Sequence, residues 1–282
     1  MFKNAEIISL GADGIPEALT GRLLVPHHIA SRGHLLRQYV AESLIPDRLE
    51  LVLLEDLDGF FQRMTKHPLG FLSQCRGLYV AQNHVWSATE SYDRVNRALK
   101  QEYAIEVRTA VLLPRERIDY WTLIHEALHD VFNRLPRQKR TQIVRSASAS
   151  YASSGKLQDM LDIARLDLSH FLWDADEIAR IIAGNKRRGR NPLDGFGHVY
   201  TFGNLAPAEQ LQTADEFISH FFSNGGVRNR WSPKHLSPIF RATLRSVGYN
   251  MDDPPDVNNA HKCDGRSDAC LAENRSAFHV IP

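Results

Sequence analysis

The sequence of 282 residues predicts an α+β fold. Three observations carry that expectation. Residues 119–135 hold apolar side chains at helical spacing between Asp119, which can cap a helix, and Pro136, which stops one. Two short segments, 77–82 and 105–114, are rich in Val, Ile and Leu and end at turn residues, which is a strand signal. The composition, 43% hydrophobic and 24% charged, is that of an ordinary globular chain and excludes disordered, collagen-like and coiled-coil classes.

Along the chain, residues 1–65 read as an N-terminal helical region. His34 to Ile45 and Arg48 to Met64 carry apolar residues at mixed three- and four-residue spacing, with Leu49, Leu51, Leu53, Leu54, Leu57, Phe60 and Phe61 in the second stretch. Residues 66–250 read as the main domain. Between its two strand-like segments, SYDRVNRALKQEY is a short helix. In the helix that follows, Leu123, Ile124, Ala127, Leu128, Val131, Phe132 and Leu135 form the apolar face. Residues 139–183 are expected to be helical again, with Gly184 as the stop, and 185–204 to be a loop. A further helix starts near Pro207 or Thr213 and runs through Glu216 and Phe222. Residues 251–282 are polar, contain two adjacent prolines, and read as a mobile tail.

Lys+Arg 34 against Asp+Glu 33 leaves a net charge of +1, which argues against a protein that coats nucleic acid. The local basic clusters, Arg134, Arg137, Lys139, Arg140 and Arg145, then Lys186, Arg187, Arg188 and Arg190, read as solvated faces offset by nearby acids. Cys75, Cys263 and Cys270 cannot build a disulfide framework. His261, Cys263 and Cys270 could hold a second metal with His279, but their spacing lacks a C-x-x-C and they fall in the tail read as mobile. No signal-peptide core and no apolar run of membrane length occurs. The expectation is a soluble, cytoplasmic protein, although delivery by a secretion machine would leave no mark here. No P-loop, dinucleotide fingerprint or G-x-S-x-G is present.

The chemistry sits in the best helix, as His125-Glu126-Ala127-Leu128-His129. Residues four apart differ by about 40° around a helix and about 6 Å along it, so both imidazoles lean over one face. They can hold one zinc at about 2.0–2.1 Å each. Glu126 lies beside the first ligand, where its carboxylate can take a proton from water without binding metal.

A catalytic zinc needs a third protein ligand and one open position. Phe132 and Leu135 stand where a metzincin continuation needs Gly and His. That leaves a later residue: Asp174, Glu177, Glu209 or Glu216, with His170, His198 and His220 as competitors. Glu216 is favoured because Phe217, Ile218, Phe221 and Phe222 make its helix a buried one, and a carboxylate there needs a cation. The alternative is a solvated Glu at a helix N-terminus, stabilised by the dipole.

HEALHDVF and ADEFISHFF together resemble the gluzincin clan of zinc metallopeptidases, in particular lethal-factor-type and related small zincins. There HExxH is followed on a later helix by a segment of the form E-F-[FA]-[AS]-E-x-F. His125, Glu126 and His129 match the first motif, and Glu216, Phe217, Ser219 and Phe222 the second. His220 stands where the pattern often carries an acid. The resemblance spans roughly residues 70–225 and implies a zincin-like fold. An active-site helix would lie beside a small antiparallel sheet whose edge strand holds an extended peptide by strand addition. Ile105 to Leu113 is the candidate for that strand, with an ordinary core strand as the alternative. It also implies Zn²⁺ held by His125, His129 and Glu216, and peptide hydrolysis with Glu126 as general base. Tyr200, His198 and His220 are candidates to stabilise the oxyanion, Tyr200 foremost.

The functional expectation is therefore a zinc-dependent endopeptidase acting on a protein or peptide substrate. Two alternatives stand beside it: a non-catalytic zincin-like module that binds or regulates a partner, and a protease recruited to nucleic acid through the basic clusters.

Overall fold

The computed structural model describes residues 2–11, 15–26, 36, 40–64, 76–83, 89–152, 180, 183–190, 207–223, 238–250 and 278–280. The described elements are α+β. Contacts divide the chain into two compact units, Met1–Val131 with Pro255–Pro282, and Phe132–Pro254.

The first unit is built on a four-stranded sheet. Strands β1 (Ala5–Gly11), β3 (Arg48–Leu54), β5 (Thr109–Pro114) and β4 (Leu78–Ala81) lie side by side in the order β1-β3-β5-β4. The sheet is mixed, not antiparallel as expected. β1 pairs antiparallel with β3 and β4 with β5, but β3 and β5 run parallel. Parallel neighbours need a long crossover, and here it consists of α1 (Leu57–Met64), β4 and α2 (Thr89–Tyr103).

The described part of the N-terminal 65 residues is built mainly of strands, β1 and β3 among them, and not of helices. Leu49, Leu51 and Leu53 alternate at period two, and the inner strand β3 is buried on both faces from Leu51 to Leu54. The apparent helical spacing came from reading through a boundary. The Asp56 carboxylate accepts the Gly59 N–H at 3.0 Å and starts α1 as a new element. Of the expected helix His34 to Ile45, the described part contains a single 3₁₀ turn at Glu42–Leu44, and the rest lies outside the described residues.

One face of the sheet carries Val52, Leu54, Val80, Ala110 and Leu112. It packs against Phe60, Phe61 and Met64 of α1 and Val95, Leu99 and Tyr103 of α2. The strand registers put Leu51, Leu53, Val111, Leu113 and Tyr79 on the opposite face. Helix α3 (Tyr120–Asn133) lies on that side. A second, small sheet has the order β6-β2-β7, with β2 (Leu23–Pro26), β6 (Ile118–Asp119) and β7 (Phe278–Val280). β7 pairs antiparallel with β2, so 278–280 form a strand and not part of a mobile tail, while 251–277 lie outside the described residues.

β6 runs directly into α3. Asp119 caps the helix as expected, accepting the Thr122 N–H at 2.8 Å and the Thr122 hydroxyl at 3.0 Å. The seven apolar residues of the predicted face are all buried. At about 1.5–3 kcal/mol for each large aliphatic or aromatic side chain, that face anchors the helix.

In the second unit, α4 (Arg137–Ala152) packs against α5 (Pro207–Ser223) and α6 (Pro238–Ser246), and α5 packs against α6. Phe221 and Phe222 of α5 meet the Tyr249 ring edge-on at 5.5 and 5.3 Å. The helical stretch before residue 190 passes through Gly184 and stops at Gly189 instead. Gly189 has φ +64°, and the Gly189 and Arg190 amides close back on the carbonyls of Lys186 and Asn185, the double bond of a Schellman ending. Residues 153–179, most of the predicted helix 139–183, lie outside the described residues.

Candidate metal centre

The cap at Asp119 fixes the phase of α3, and its buried apolar stripe fixes its rotation. The His125 and His129 rings then lie 4.9 Å apart between centroids, at 82° to one another. His125 is half-buried and His129 is 6% exposed, so these are not two solvated surface histidines. Among the described residues, His125, His129 and Glu216 form a group that could hold a metal ion. Each offers one ligand atom, and these atoms all lie within 4.8 Å of one another. Two imidazole nitrogens and one carboxylate suit a divalent transition metal and leave a coordination position for water.

Glu216 sits inside α5, more than two turns beyond Pro207. The alternative of a carboxylate stabilised at a helix N-terminus therefore falls, because the dipole acts only within the first turn. Its neighbours Asp215, Phe217 and Ile218 are fully buried, while Glu216 itself is half-buried.

Glu126 is 8% exposed and is not part of the metal group. Its Oε2 accepts the backbone N–H of Tyr79 at 2.7 Å. The approach of β4 to α3 that allows this depends on Gly77. A Cβ there would stand 2.9 Å from Thr122 Cγ2 and 3.0 Å from Glu126 Cγ. Two further residues complete the cluster. The Tyr79 hydroxyl donates to Asp130 Oδ1 at 2.9 Å, and the Tyr79 ring stacks on His129 at 6.1 Å and 27°. Asp130 is 1% exposed.

Sequence reasoning missed Gly77, Tyr79 and Asp130. Asp130 follows His129 directly and is an acid on a helix whose other buried positions are apolar, which was a usable signal. Tyr79 and Gly77 carried none, because only the sheet brings them to the helix.

Several expectations are settled otherwise. The candidate substrate strand, Ile105 to Leu113, is not an edge. β5 lies between β3 and β4, buried on both faces, and among the described residues the edges of the sheet are β1 and β4. Tyr200, His198, His170, Asp174, Glu177, Cys75, His261, Cys263 and Cys270 lie outside the described residues, as do the side chains of Glu209, His220 and His279. Part of the first basic cluster has structural work. Lys139 donates to the Ser246 carbonyl at 2.7 Å and Arg140 to the Leu135 carbonyl at 2.9 Å, each satisfying a carbonyl near a helix end. A cavity of about 580 Å³ opens where β5 and α3 approach, its lining including Asp58, Arg76, Leu113, Arg117 and Thr122. No helix among the described residues is long and apolar enough to cross a membrane. No family model matches the chain, and neither a curated protein nor a solved structure matches it.

Proposed function

We propose that the protein is a zincin-like, zinc-dependent endopeptidase of the gluzincin type. The observation that carries the reading is the grouping of His125, His129 and Glu216 beside a separate, buried Glu126 carboxylate. Three protein donors with one position left open are the arrangement of a catalytic rather than a structural zinc site.

Zn²⁺ bound there supplies Lewis-acid polarisation of a carbonyl and makes water acidic enough to attack at neutral pH. His125 and His129 orient it through one face of α3, and Glu216 contributes charge. Glu126, outside the ligand set, takes the proton of the attacking water and delivers it to the leaving amine. A peptide substrate extends along β4, which among the described residues pairs on one side only. The cavity lined in part by Asp58, Arg76 and Arg117 would receive a polar substrate side chain.

The test is proteolysis by the full chain loaded with one equivalent of Zn²⁺. New N-termini made by the wild type and not by Glu126→Gln support the reading. If neither protein cleaves a diverse peptide pool while both bind zinc, the non-catalytic metal-binding module replaces it.

A further inference from the structure

Backbone alternation along β4 decides where a substrate strand can bond. Gln82 donates to the Arg108 carbonyl at 2.9 Å, toward β5, so the even-numbered residues 78, 80 and 82 face that strand. The amides of Tyr79 and Ala81 point the other way, to the open edge. Strand addition needs those outward amides. One is already engaged, because the Tyr79 N–H is donated to Glu126 Oε2 at 2.7 Å in a buried setting.

The same residue grips the next turn of α3. Its hydroxyl donates to Asp130 at 2.9 Å, and its ring stacks on His129. From the edge strand, Tyr79 therefore touches both the carboxylate outside the metal group and one of the two histidines inside it. A hydrogen bond to an ionised carboxylate is short, directional and roughly twice as strong as a neutral one. With Oε2 held, the Glu126 carboxylate cannot spin about its last bond, and Oε1 keeps one direction.

We propose that Tyr79 is the positioning residue of the site. Its amide fixes the Glu126 carboxylate, and its side chain fixes His129 through stacking and through Asp130. This rests on the hydrolytic reading above and adds to it a coupling between the substrate-binding edge and the proton-transferring group.

Two measurements test it. The first needs no substrate: hydrogen exchange of the Tyr79 amide in the full chain, wild type against Glu126→Ala, with the Val111 amide as the internal reference. Tyr79 should exchange about 10-fold or more faster in Glu126→Ala while Val111 is unchanged. Equal exchange in both proteins overturns the amide contact. The second compares Tyr79→Ala, Tyr79→Phe and Tyr79→Pro on a fluorescence-quenched random peptide pool, with zinc content read on each. Proline removes only an outward N–H on an edge strand, so no bond to β5 is lost. At saturating zinc, Tyr79→Pro should bind the metal as Tyr79→Ala does and lose about 10–100-fold in kcat beyond what Tyr79→Ala loses, with little change in KM. Tyr79→Phe should weaken zinc binding more than it lowers kcat. A folded, zinc-loaded Tyr79→Pro with the kcat of Tyr79→Ala overturns the proposal. If Tyr79→Pro does not fold, the exchange result and Tyr79→Phe decide. If the wild type cleaves nothing, the hydrolytic reading fails by itself, and the exchange arm still reports whether Tyr79 holds Glu126.

Discussion

Tyr79 forms a polar cluster with Glu126, His129 and Asp130 of α3, and Lys3, Asp56, Arg63 and Glu102 form another around α1 and the end of α2. Both belong to the first unit, and both join an early segment to a later helix. The first is buried: Glu126 and Asp130 are 8% and 1% exposed. The second is a chain of alternating charges, Lys3 to Asp56 at 3.0 Å and to Glu102 at 3.2 Å, and Arg63 to the same two acids at 3.3 and 2.7 Å. Its members are partly exposed, with Asp56 open over 44% of its side chain. Water screens such pairs, so each is worth about 1 kcal/mol or less. In the buried cluster each lost partner leaves a desolvated group behind, at about 1–3 kcal/mol. Burial, more than the identity of the side chains, sets how much each lost partner costs.

The largest effect should come from Glu126→Gln. On the proposed hydrolysis it removes the proton acceptor and leaves the proposed metal donors, so zinc content should be unchanged and kcat should fall by about 10²–10⁴-fold, measured on any peptide the wild type cleaves. Loss of zinc alongside activity would place Glu126 in a structural role.

Gly77→Ala is next. The added methyl would meet Thr122 and the Glu126 stem, with Thr122 held by its hydroxyl on Asp119 and Leu113 fully buried, so β4 and α3 must part. A destabilisation of about 1–3 kcal/mol is expected in chemical denaturation. A variant as stable as the wild type would mean that β4 and α3 are less closely joined than described.

The smallest effect belongs to the exposed cluster. Hydrogen bonds from Lys3 hold the Asp56 carboxyl below its ordinary 3.8. For Glu102, burial pushes the carboxyl up, but the bonds from Arg63 and Lys3 outweigh it and leave the pKa below 4.5. A depressed carboxyl stabilises the fold above its unfolded-state value and stops doing so as the pH falls through its folded-state value. The contribution should therefore be intact at neutral pH and fade as the pH drops below about 4.5. Glu102→Gln should cost about 1 kcal/mol or less at neutral pH, less in high salt, and nothing once the carboxyl is protonated. A pH-independent cost would show that packing, not charge, is lost.

The comparison also marks what the sequence could reveal. α3 was legible because every determinant is local: the Asp119 cap, the apolar stripe, the stop at Pro136, and the four-residue step from His125 to His129. β4 and α2 were legible for the same reason. β3 was not, because Leu53, Leu54, Leu57, Phe60 and Phe61 mimic helical spacing across a boundary that Asp56 sets. β7 has three residues and is a strand through pairing with β2, which no local pattern encodes. The edge position of β4, and hence Tyr79, follows from sheet order, a property of the whole crossover. Glu216 was singled out through its apolar neighbours, although residue types alone also left Asp174, Glu177 and Glu209 open.

Whether His125, His129 and Glu216 act together on one metal ion is decided by zinc binding. The direct measurement is zinc affinity by competition with a chelator of known strength, comparing wild type, Glu216→Ala, Glu209→Ala and the double variant His125→Ala/His129→Ala. The expected result is about one zinc per wild-type chain, none in the double variant, and affinity reduced about 100-fold or more in Glu216→Ala but unchanged in Glu209→Ala. Wild-type affinity in Glu216→Ala would contradict the three-donor site, and full zinc content in the double variant would remove it altogether.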